Sequence, residues 1–223
     1  MQKSGKKQGL AEMAYDEIKE LIVSNQLTPG QFITETEMQE RLDMGRTPVR
    51  DAMRELERDQ LLVIHPRRGA EVSSVAPRKI RELFEARMLI EPAILKAEME
   101  NLDMDRLREM QQLFSRHIDK DSPDLDDEIL ELADIDNEFH RMITDLCDNS
   151  YIDRLIDSLF DFQRMIRIIV SHNVDRFNAS NIEHVKLIDA ILDGDNEKAA
   201  KLLAEHLSNS LDATLQNFLV TQL

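Results

Sequence analysis

The chain has 223 residues, of which 42% are hydrophobic and 32% charged, so it holds enough apolar material to build a core. Its single cysteine, Cys147, excludes an intramolecular disulfide and fits a protein of the reducing cytoplasm. The longest apolar runs have about four residues, against the roughly 20 that a membrane-spanning helix needs, and no signal peptide is predicted.

The formal net charge of −16 is unevenly distributed along the chain. Residues 1–76 hold 11 basic and 13 acidic side chains, whereas residues 77–223 hold 17 and 31. Between residues 41 and 68 the balance reverses, with seven arginines against five acidic residues. Only this region offers a surface for a polyanion. We therefore predict a disordered arm over 1–9, a nucleic-acid-binding domain over 10–75 and an acidic domain over 76–223.

Two helices joined by a turn are predicted at the start of the first domain. Apolar residues recur at helical spacing over about residues 10–24. The Pro29-Gly30 pair then ends this helix and leads into a short extended segment at Phe32-Ile33. Thr34 or Thr36 can cap a second helix, and Thr34 with Glu37 has the spacing of a capping box.

A third helix and a hairpin complete this domain. Thr47 is expected to cap the helix, with Pro48 as its first residue, where a missing amide hydrogen costs nothing. The segment LLVIHPRRGAEVSSV alternates around a Pro-Arg-Arg-Gly turn, which is typical of a short β-hairpin. Three helices followed by a hairpin predict a winged helix-turn-helix.

Three arginines recur every fourth residue along the third helix and therefore share one face of it: Arg46, Arg50 and Arg54. One interpretation is a solvated face that nearby acidic residues balance. The other follows from position, because the start of the second helix of a helix-turn-helix reads base edges in the major groove of DNA. Arginine binds guanine in bidentate fashion, and Thr47 with the helix amides suits phosphate.

The predicted hairpin carries a second set of basic residues. Arg67 and Arg68 stand beside Gly69 at its tip, which fits contacts to the DNA backbone or the minor groove. His65 lies just before this turn and is a further candidate for a wing contact. Helix and hairpin together predict a double-stranded DNA operator as the partner of the first domain.

The second domain shows helical patterns throughout and no strand signal. Short connections rich in Asp, Asn, Ser, Pro or Gly separate the helices, which is typical of an antiparallel bundle. The six predicted helices cover about residues 77–100, 103–119, 124–147, 150–172, 178–193 and 196–220. The predicted fold class is mainly α, a winged helix-turn-helix followed by an all-helical bundle of about six helices.

Three histidines lie in apolar stripes of three different predicted helices: His140, His184 and His206. Asp136 precedes His140 by four residues, so both share a face of one helix. A histidine on such a face is commonly a hydrogen-bonded core residue, but a buried unpaired carboxylate is costly. One aspartate and three histidines converging in a bundle core would bind a divalent metal. Zinc is expected first, with nickel or manganese as alternatives.

The segment TETEMQERLDMGRTPVRDAMRELERDQLLVIHPRRGAEV resembles the winged-helix domain of GntR-family bacterial transcription regulators. The resemblance covers residues 10–75 and rests on RTPVRDAMREL and PRRGAEV. Similar sequences often have Gly-Val-Ser before RTP, whereas this chain has Asp43-Met44-Gly45 and lacks a phosphate-binding hydroxyl at Gly45. The resemblance implies a bacterial DNA-binding regulator, expected to be a repressor, that acts in the cytoplasm and joins the nucleoid on its operator.

The segments FEARMLIEPAILKAE, DIDNEFHRMI and EHVKLIDAILDGDNEKAAKLLAEHL resemble the all-helical ligand-binding domain of the FadR branch, often called FCD. This resemblance spans residues 78–220 and implies a metal held by Asp136, His140, His184 and His206. It also implies that Arg87 faces the same pocket and takes a carboxylate of a small organic acid effector. A homodimer is expected, since helix-turn-helix proteins usually read palindromic half-sites.

Other interpretations stay open on the sequence alone. The metal could serve a metalloenzyme fused to a DNA-binding module, although neither His-Glu-x-x-His nor Glu-x-x-His occurs. It could also be purely structural. For Arg87 the alternative is an exposed pair with Glu91 at i,i+4 spacing. His117 and His172 are interpreted as surface residues.

Overall fold

A computed structural model of the chain describes residues 9–118, 125–169 and 174–221. These residues form two compact units. One comprises residues up to Val75 and takes in Arg164–Ile169, and the other comprises Ala76–Gln163 with the rest of the described residues. None of the helices in these ranges is both long and apolar enough to cross a membrane.

The first unit is a winged helix-turn-helix. Its elements span Leu10–Val23 (α1), Phe32–Ile33 (β1), Glu35–Leu42 (α2), Arg46–Arg58 (α3), Leu62–His65 (β2) and Gly69–Val72 (β3). Buried apolar side chains from all three helices form the core, among them Ile18, Met38 and Leu56. The predicted order of three helices followed by a hairpin is confirmed.

The starts of α2 and α3 test two capping predictions. The Thr34 hydroxyl accepts from the Glu37 amide at 3.2 Å, and the Glu37 carboxylate accepts from the Thr34 amide at 2.7 Å, so the capping box is confirmed. The prediction for α3 is wrong, because its N-cap is Gly45 instead of Thr47, and Pro48 is its third residue. Proline is tolerated there since the first four amides of a helix have no intrahelical acceptor.

A three-stranded antiparallel sheet completes the first unit in the order β1-β3-β2. Ala70 on β3 pairs with Ile64 on one side and with Ile33 on the other. The β2–β3 hairpin is the predicted wing. Gly69 begins β3 with φ +100°, and a Cβ there would lie 2.3 Å from the carbonyl oxygen of Ile33. The close approach of β1 therefore requires glycine at position 69.

The second unit is an all-helical bundle in its described residues. Its helices span Pro77–Glu98 (α4), Met104–Arg116 (α5), Leu125–Thr144 (α6), Ser150–Ile169 (α7), Val174–Leu192 (α8) and Asn196–Thr221 (α9), except that the last six residues of α7 belong to the first unit. A 3-10 turn over Met99–Asn101 follows α4. The six predicted helices are confirmed, although α8 begins four residues earlier than its pattern indicates.

The core of the bundle contains apolar side chains from α4, α5, α6, α8 and α9, together with ionisable ones. The buried ionisable side chains described there are Arg87, Glu91, His140, His184 and His206. Burying such groups is costly unless each one is paired, hydrogen-bonded or bound to a metal. Their shared location therefore identifies the part of this unit where a functional site is to be sought.

Candidate nucleic-acid interface and metal centre

The N-terminal part of α3 presents a row of basic side chains to solvent. The Arg46 side chain is 74% exposed and that of Arg50 is 42% exposed, and Thr47 and Arg54 are exposed as well. Because the opposite face of α3 is buried in the core, these side chains remain available to a partner. Arg46 donates to Glu35 at 3.0 Å, in an exposed pair of small energetic value that a phosphate can replace.

The wing presents two further arginines. Arg67 and Arg68 are exposed in the turn between β2 and β3, and the Arg68 guanidinium lies 4.9 Å from the centre of the Phe32 ring. His65 is turned toward the sheet, with its Nε2 2.8 Å from the Glu71 carboxylate. The tip of the wing therefore offers its arginines freely, whereas His65 already has an anionic partner.

Asp136, His140, His184 and His206 come together in the core of the second unit. One potential ligand atom of each lies within 4.8 Å of every other. Helix α6 supplies the aspartate and the first histidine from one face, and α8 and α9 supply one histidine each. The histidines are at most 3% exposed. The structure thus brings together the four residues that the helical stripes singled out.

Each of these histidines is oriented by an acceptor at its Nδ1 atom. The Nδ1 distances are 2.6 Å from His140 to Glu91, 2.8 Å from His206 to Glu183, and 2.9 Å from His184 to the carbonyl oxygen of Ser180. Ionised carboxylates and carbonyls only accept hydrogen bonds, so Nδ1 carries the proton in all three rings. In a neutral ring the lone pair is then on Nε2, ready for a metal.

Arg87, Glu91 and His140 form a buried chain of charges. The Arg87 Nε donates to Glu91 at 2.5 Å, and His140 donates to the same carboxylate at 2.6 Å. Burial alone would raise the pKa of Glu91, but Arg87 and His140 outweigh it and lower that pKa to about 2. Burial lowers the pKa of His140. At neutral pH the carboxylate is therefore ionised and the imidazole neutral.

A second chain of the same kind joins Arg176, Glu183 and His206. The guanidinium donates to both carboxylate oxygens of Glu183, at 2.9 and 2.8 Å. Burial alone would raise the pKa of Glu183, but His206 and Arg176 lower it to about 2. Burial, assisted by His184, lowers the pKa of His206 to about 3. This chain is more open than the first, since the Glu183 side chain is 22% exposed and that of Glu91 is fully buried.

The space between the Nε2 atoms and Asp136 suits a cation. His184 Nε2 lies 3.2 Å from a carboxylate oxygen of Asp136, and His140 Nε2 lies 3.9 Å from the same oxygen. Among the described residues neither Nε2 atom has a hydrogen-bond partner, and both are buried. A neutral Nε2 and a carboxylate oxygen both present lone pairs, so a positive ion between them satisfies both.

Arg87 lies inside the bundle, next to this cluster. It is 2% exposed, and its guanidinium lies 5.7 and 5.4 Å from the ring centres of Phe84 and Phe160. The i,i+4 pair with Glu91 does form, but in the core instead of on the surface. A single carboxylate, that of Glu91, thus separates Arg87 from the candidate ligand His140.

Sequence reasoning did not identify Glu91 and Glu183 as partners of the histidines. For Glu91 a signal existed, because this carboxylate lies on the apolar face of α4. For Glu183 the sequence held no such signal. This residue directly precedes His184, so its side chain points away from that histidine and contacts the His206 ring on α9.

Of the other two histidines of the second domain, only His117 lies in the part of the chain that the structure describes. His117, which the pattern assigned to the surface, is half-buried, and its Nδ1 lies 2.8 Å from the Leu113 carbonyl oxygen. His172 lies outside the described residues.

Both units match known protein families. Residues 10–72 match the model of bacterial regulatory proteins of the gntR family. Residues 82–209, more than half of the chain, match the model of the FCD domain. The first match covers the winged helix-turn-helix, and the second covers the four candidate metal ligands and both arginine–glutamate pairs.

The chain is similar to known transcription regulators and to a solved FCD domain. The HTH-type transcriptional repressor RspR of Escherichia coli (strain K12) is 22% identical over 210 residues, which cover 94% of this chain and 90% of RspR. A GntR transcriptional regulator from Rhodococcus sp. RHA1 has a TM-score of 0.76 at 21% identity, covering 92% of this chain and 97% of that one. The Zn²⁺-bound FCD domain of TM0439 has a TM-score of 0.52 at 24% identity, covering 66% of this chain and 98% of that one. These structural likenesses show the fold.

Proposed function

This chain belongs to the GntR family of bacterial regulatory proteins and carries an FCD domain, and from this premise we propose a metabolite-responsive repressor. Its operator binding is controlled by a small carboxylate held at a metal in the FCD domain. Proteins of this family are transcription regulators, which removes the metalloenzyme interpretation. The observation that carries the proposal is the convergence of Asp136 with three buried histidines in the same domain.

A divalent metal, zinc first and nickel or manganese as alternatives, is the expected cofactor. The donor set of one carboxylate oxygen and three imidazole nitrogens supports this assignment but does not select one metal. The Zn²⁺-bound FCD domain of TM0439, which shares the fold, favours zinc. Asp136, His140, His184 and His206 would hold the ion, and a bound ion would supply a Lewis acid for an effector oxygen.

The charges around the cluster favour a monoanionic effector. The Arg87–Glu91 and Arg176–Glu183 pairs are each neutral overall, and an imidazole that binds a metal through Nε2 with its proton on Nδ1 adds no charge. With Asp136 ionised, a divalent ion leaves one net positive charge in the core, which is costly unless it is balanced. One carboxylate provides that balance. Arg87 directs two of its five N–H donors at Glu91, and the guanidinium can also donate to the effector.

Residues 10–75 form the DNA-binding domain in this proposal, and 76–223 form the effector domain. The expected contacts to DNA come from α3 and the wing. They involve Arg46, Thr47, Arg50, Arg54, Arg67 and Arg68, with His65 and the backbone at Gly69 in support. A homodimer would read two palindromic half-sites in the cytoplasm, where the operator DNA is. Effector and DNA affinities are then coupled reciprocally.

Replacing Arg46 or Arg50 by alanine is expected to cost about 1–3 kcal/mol of specific DNA binding and to relax base preference, because a bidentate base contact is lost. Gel-shift titrations with the DNA upstream of the protein's own gene measure this loss. Arg58→Ala is the matched control, since it removes the same charge from the exposed last turn of α3. Equal affinities for all of these variants would exclude α3 as the reading helix.

Replacing Arg67 or Arg68 by alanine is expected to act differently. A phosphate contact is independent of sequence, so affinity falls for all DNA fragments alike, and the slope of log K against log salt decreases by about 1. Titrations at several salt concentrations give the slope. A change in base preference without a change in slope would assign these arginines to base readout instead.

The function as a whole is tested by measuring operator release. Wild-type protein, either as purified or stripped of metal with a chelator, is titrated onto labelled operator in the presence of acetate, lactate, succinate or citrate. We expect at least one acid to release DNA from the metal-loaded protein and to have no effect on the stripped protein. Identical release from both forms would make the metal purely structural and would exclude it from effector binding.

A further inference from the structure

Two arginine–glutamate–histidine chains end at the candidate metal centre. The first runs from Arg87 through Glu91 on α4 to His140 on α6, and the second runs from Arg176 through Glu183 on α8 to His206 on α9. Each chain therefore ties a metal-facing ring to a helix other than its own. The third ring, His184, is tied by a backbone carbonyl four residues earlier in the same helix.

Glu183 is held by donors on every side. Its Oε1 accepts from Arg176 and from the Asn209 amide at 2.8 Å, and its Oε2 accepts from Arg176 and from His206. A carboxylate has about four lone-pair sites, so this one is fully used and its position is fixed. Arg176 is anchored in turn by the Ser210 hydroxyl at 2.8 Å. The orientation of the His206 ring is thus set by a network that spans α8 and α9.

An anionic acceptor at Nδ1 affects the opposite nitrogen of the ring. It keeps the proton on Nδ1 and leaves the lone pair on Nε2. It also orients the ring toward the ion and makes Nε2 a stronger electron-pair donor to the metal. Loss of such a partner typically costs a factor of about 10–100 in metal affinity. A neutral carbonyl, as at His184, orients the ring with less gain in basicity.

We propose that Glu91 and Glu183 are positioning residues of the metal centre, and that Glu183 sets metal affinity without being needed for the fold. This inference depends on the metal of the proposed function. The division between the two glutamates follows from burial. Glu91 and Arg87 lie in the core, where removing one charge leaves the other buried without a partner. Glu183 and Arg176 are 22% and 19% exposed, so water can replace a lost partner.

The test is a competition titration of Zn²⁺ against a chelator with purified wild-type protein, Glu183→Ala and Glu183→Gln. We expect the alanine variant to lose a factor of about 10–100 in affinity, and the glutamine variant to lose about tenfold, because its amide oxygen still accepts from His206 without a full charge. Glu138→Gln is the matched control, since it removes one carboxylate from a more exposed arginine pair, between Arg106 on α5 and Glu138 on α6. This control should bind Zn²⁺ like the wild type.

Two further readouts separate positioning from structural support. The absorption bands of bound Co²⁺ should shift in both Glu183 variants and stay unchanged in Glu138→Gln, because they report ligand geometry. The unfolding temperature of the metal-free protein should change little. Should the alanine variant not fold, the glutamine variant decides the outcome, since it keeps the shape of the side chain.

Three results would overturn this inference: Zn²⁺ affinity within about twofold of wild type in the variants that fold, an equal loss in Glu138→Gln, or a metal-free unfolding temperature that falls in step with affinity. Wild-type protein that binds no Zn²⁺ would instead refute the proposed function, and this inference with it. The two failures are therefore distinguishable.

Discussion

His206→Ala is expected to abolish stoichiometric metal binding and to remove the stabilisation that the metal provides. The substitution deletes one of the three candidate nitrogen ligands of the buried cluster. Two histidines and Asp136 then remain, which are too few to hold the ion at full occupancy. A metal present at 1,000 times its dissociation constant stabilises the folded state by about 4 kcal/mol. Elemental analysis of protein purified without chelators, combined with thermal unfolding in the presence and absence of EDTA, measures both effects.

His117→Ala is the control for this prediction. His117 belongs to the same unit and is half-buried, but its ring binds the Leu113 carbonyl oxygen and lies outside the cluster. The control should retain both the metal and the effect of EDTA on unfolding. Wild-type protein without stoichiometric metal would reduce the four residues to a polar core cluster, and metal retained by His206→Ala would remove that histidine from the ligand set.

Arg87→Ala is expected to destabilise the FCD domain by about 3–5 kcal/mol, because it leaves the carboxylate of Glu91 buried without its guanidinium. For a domain of this size the loss corresponds to roughly 10 °C in unfolding temperature. Thermal unfolding of the metal-free protein measures it. His140 shares the same carboxylate, so metal affinity should fall as well.

Helix α4 offers a matched control within itself. Arg78 and Glu82 repeat the same residue types at the same i,i+4 spacing, but the Arg78 side chain is 88% exposed. Arg78→Ala should therefore cost less than about 1 kcal/mol. Similar losses at both positions would show that burial does not decide the strength of the Arg87–Glu91 pair.

A test of the effector role of Arg87 requires a milder substitution than alanine, because the alanine variant is expected to lose stability as well. Arg87→Lys keeps a positive charge beside Glu91 but loses the planar fork that binds a carboxylate in bidentate fashion. We expect this variant to bind metal and DNA and to require a higher acid concentration for operator release. Release at wild-type concentrations would mean that Arg87 supports Glu91 and does not bind the effector.

Local sequence signals were sufficient for most of the fold. Capping by Thr34 and Glu37, the proline–glycine turn and the alternation around the wing each act within a few residues, so the pattern alone predicts them. The first turn of α3 was misjudged because Gly45 provides no side-chain cap and Thr47 looked like the stronger signal. The pairing of β1 with β3 was beyond local pattern, since its partners are far apart in the chain.

By itself the sequence determined the class of protein through its resemblance to two families. It also determined the residue types of the candidate metal site, because helical spacing assigns Asp136, His140, His184 and His206 to apolar faces of three helices. Only the tertiary structure decided how those rings are held. The carboxylates at their Nδ1 atoms come from positions 49 and 23 residues away, so their approach depends on helix packing and no spacing rule reveals it. Packing also decided that Arg87 is buried, so its pair with Glu91 supports the candidate metal ligand His140 from inside the core.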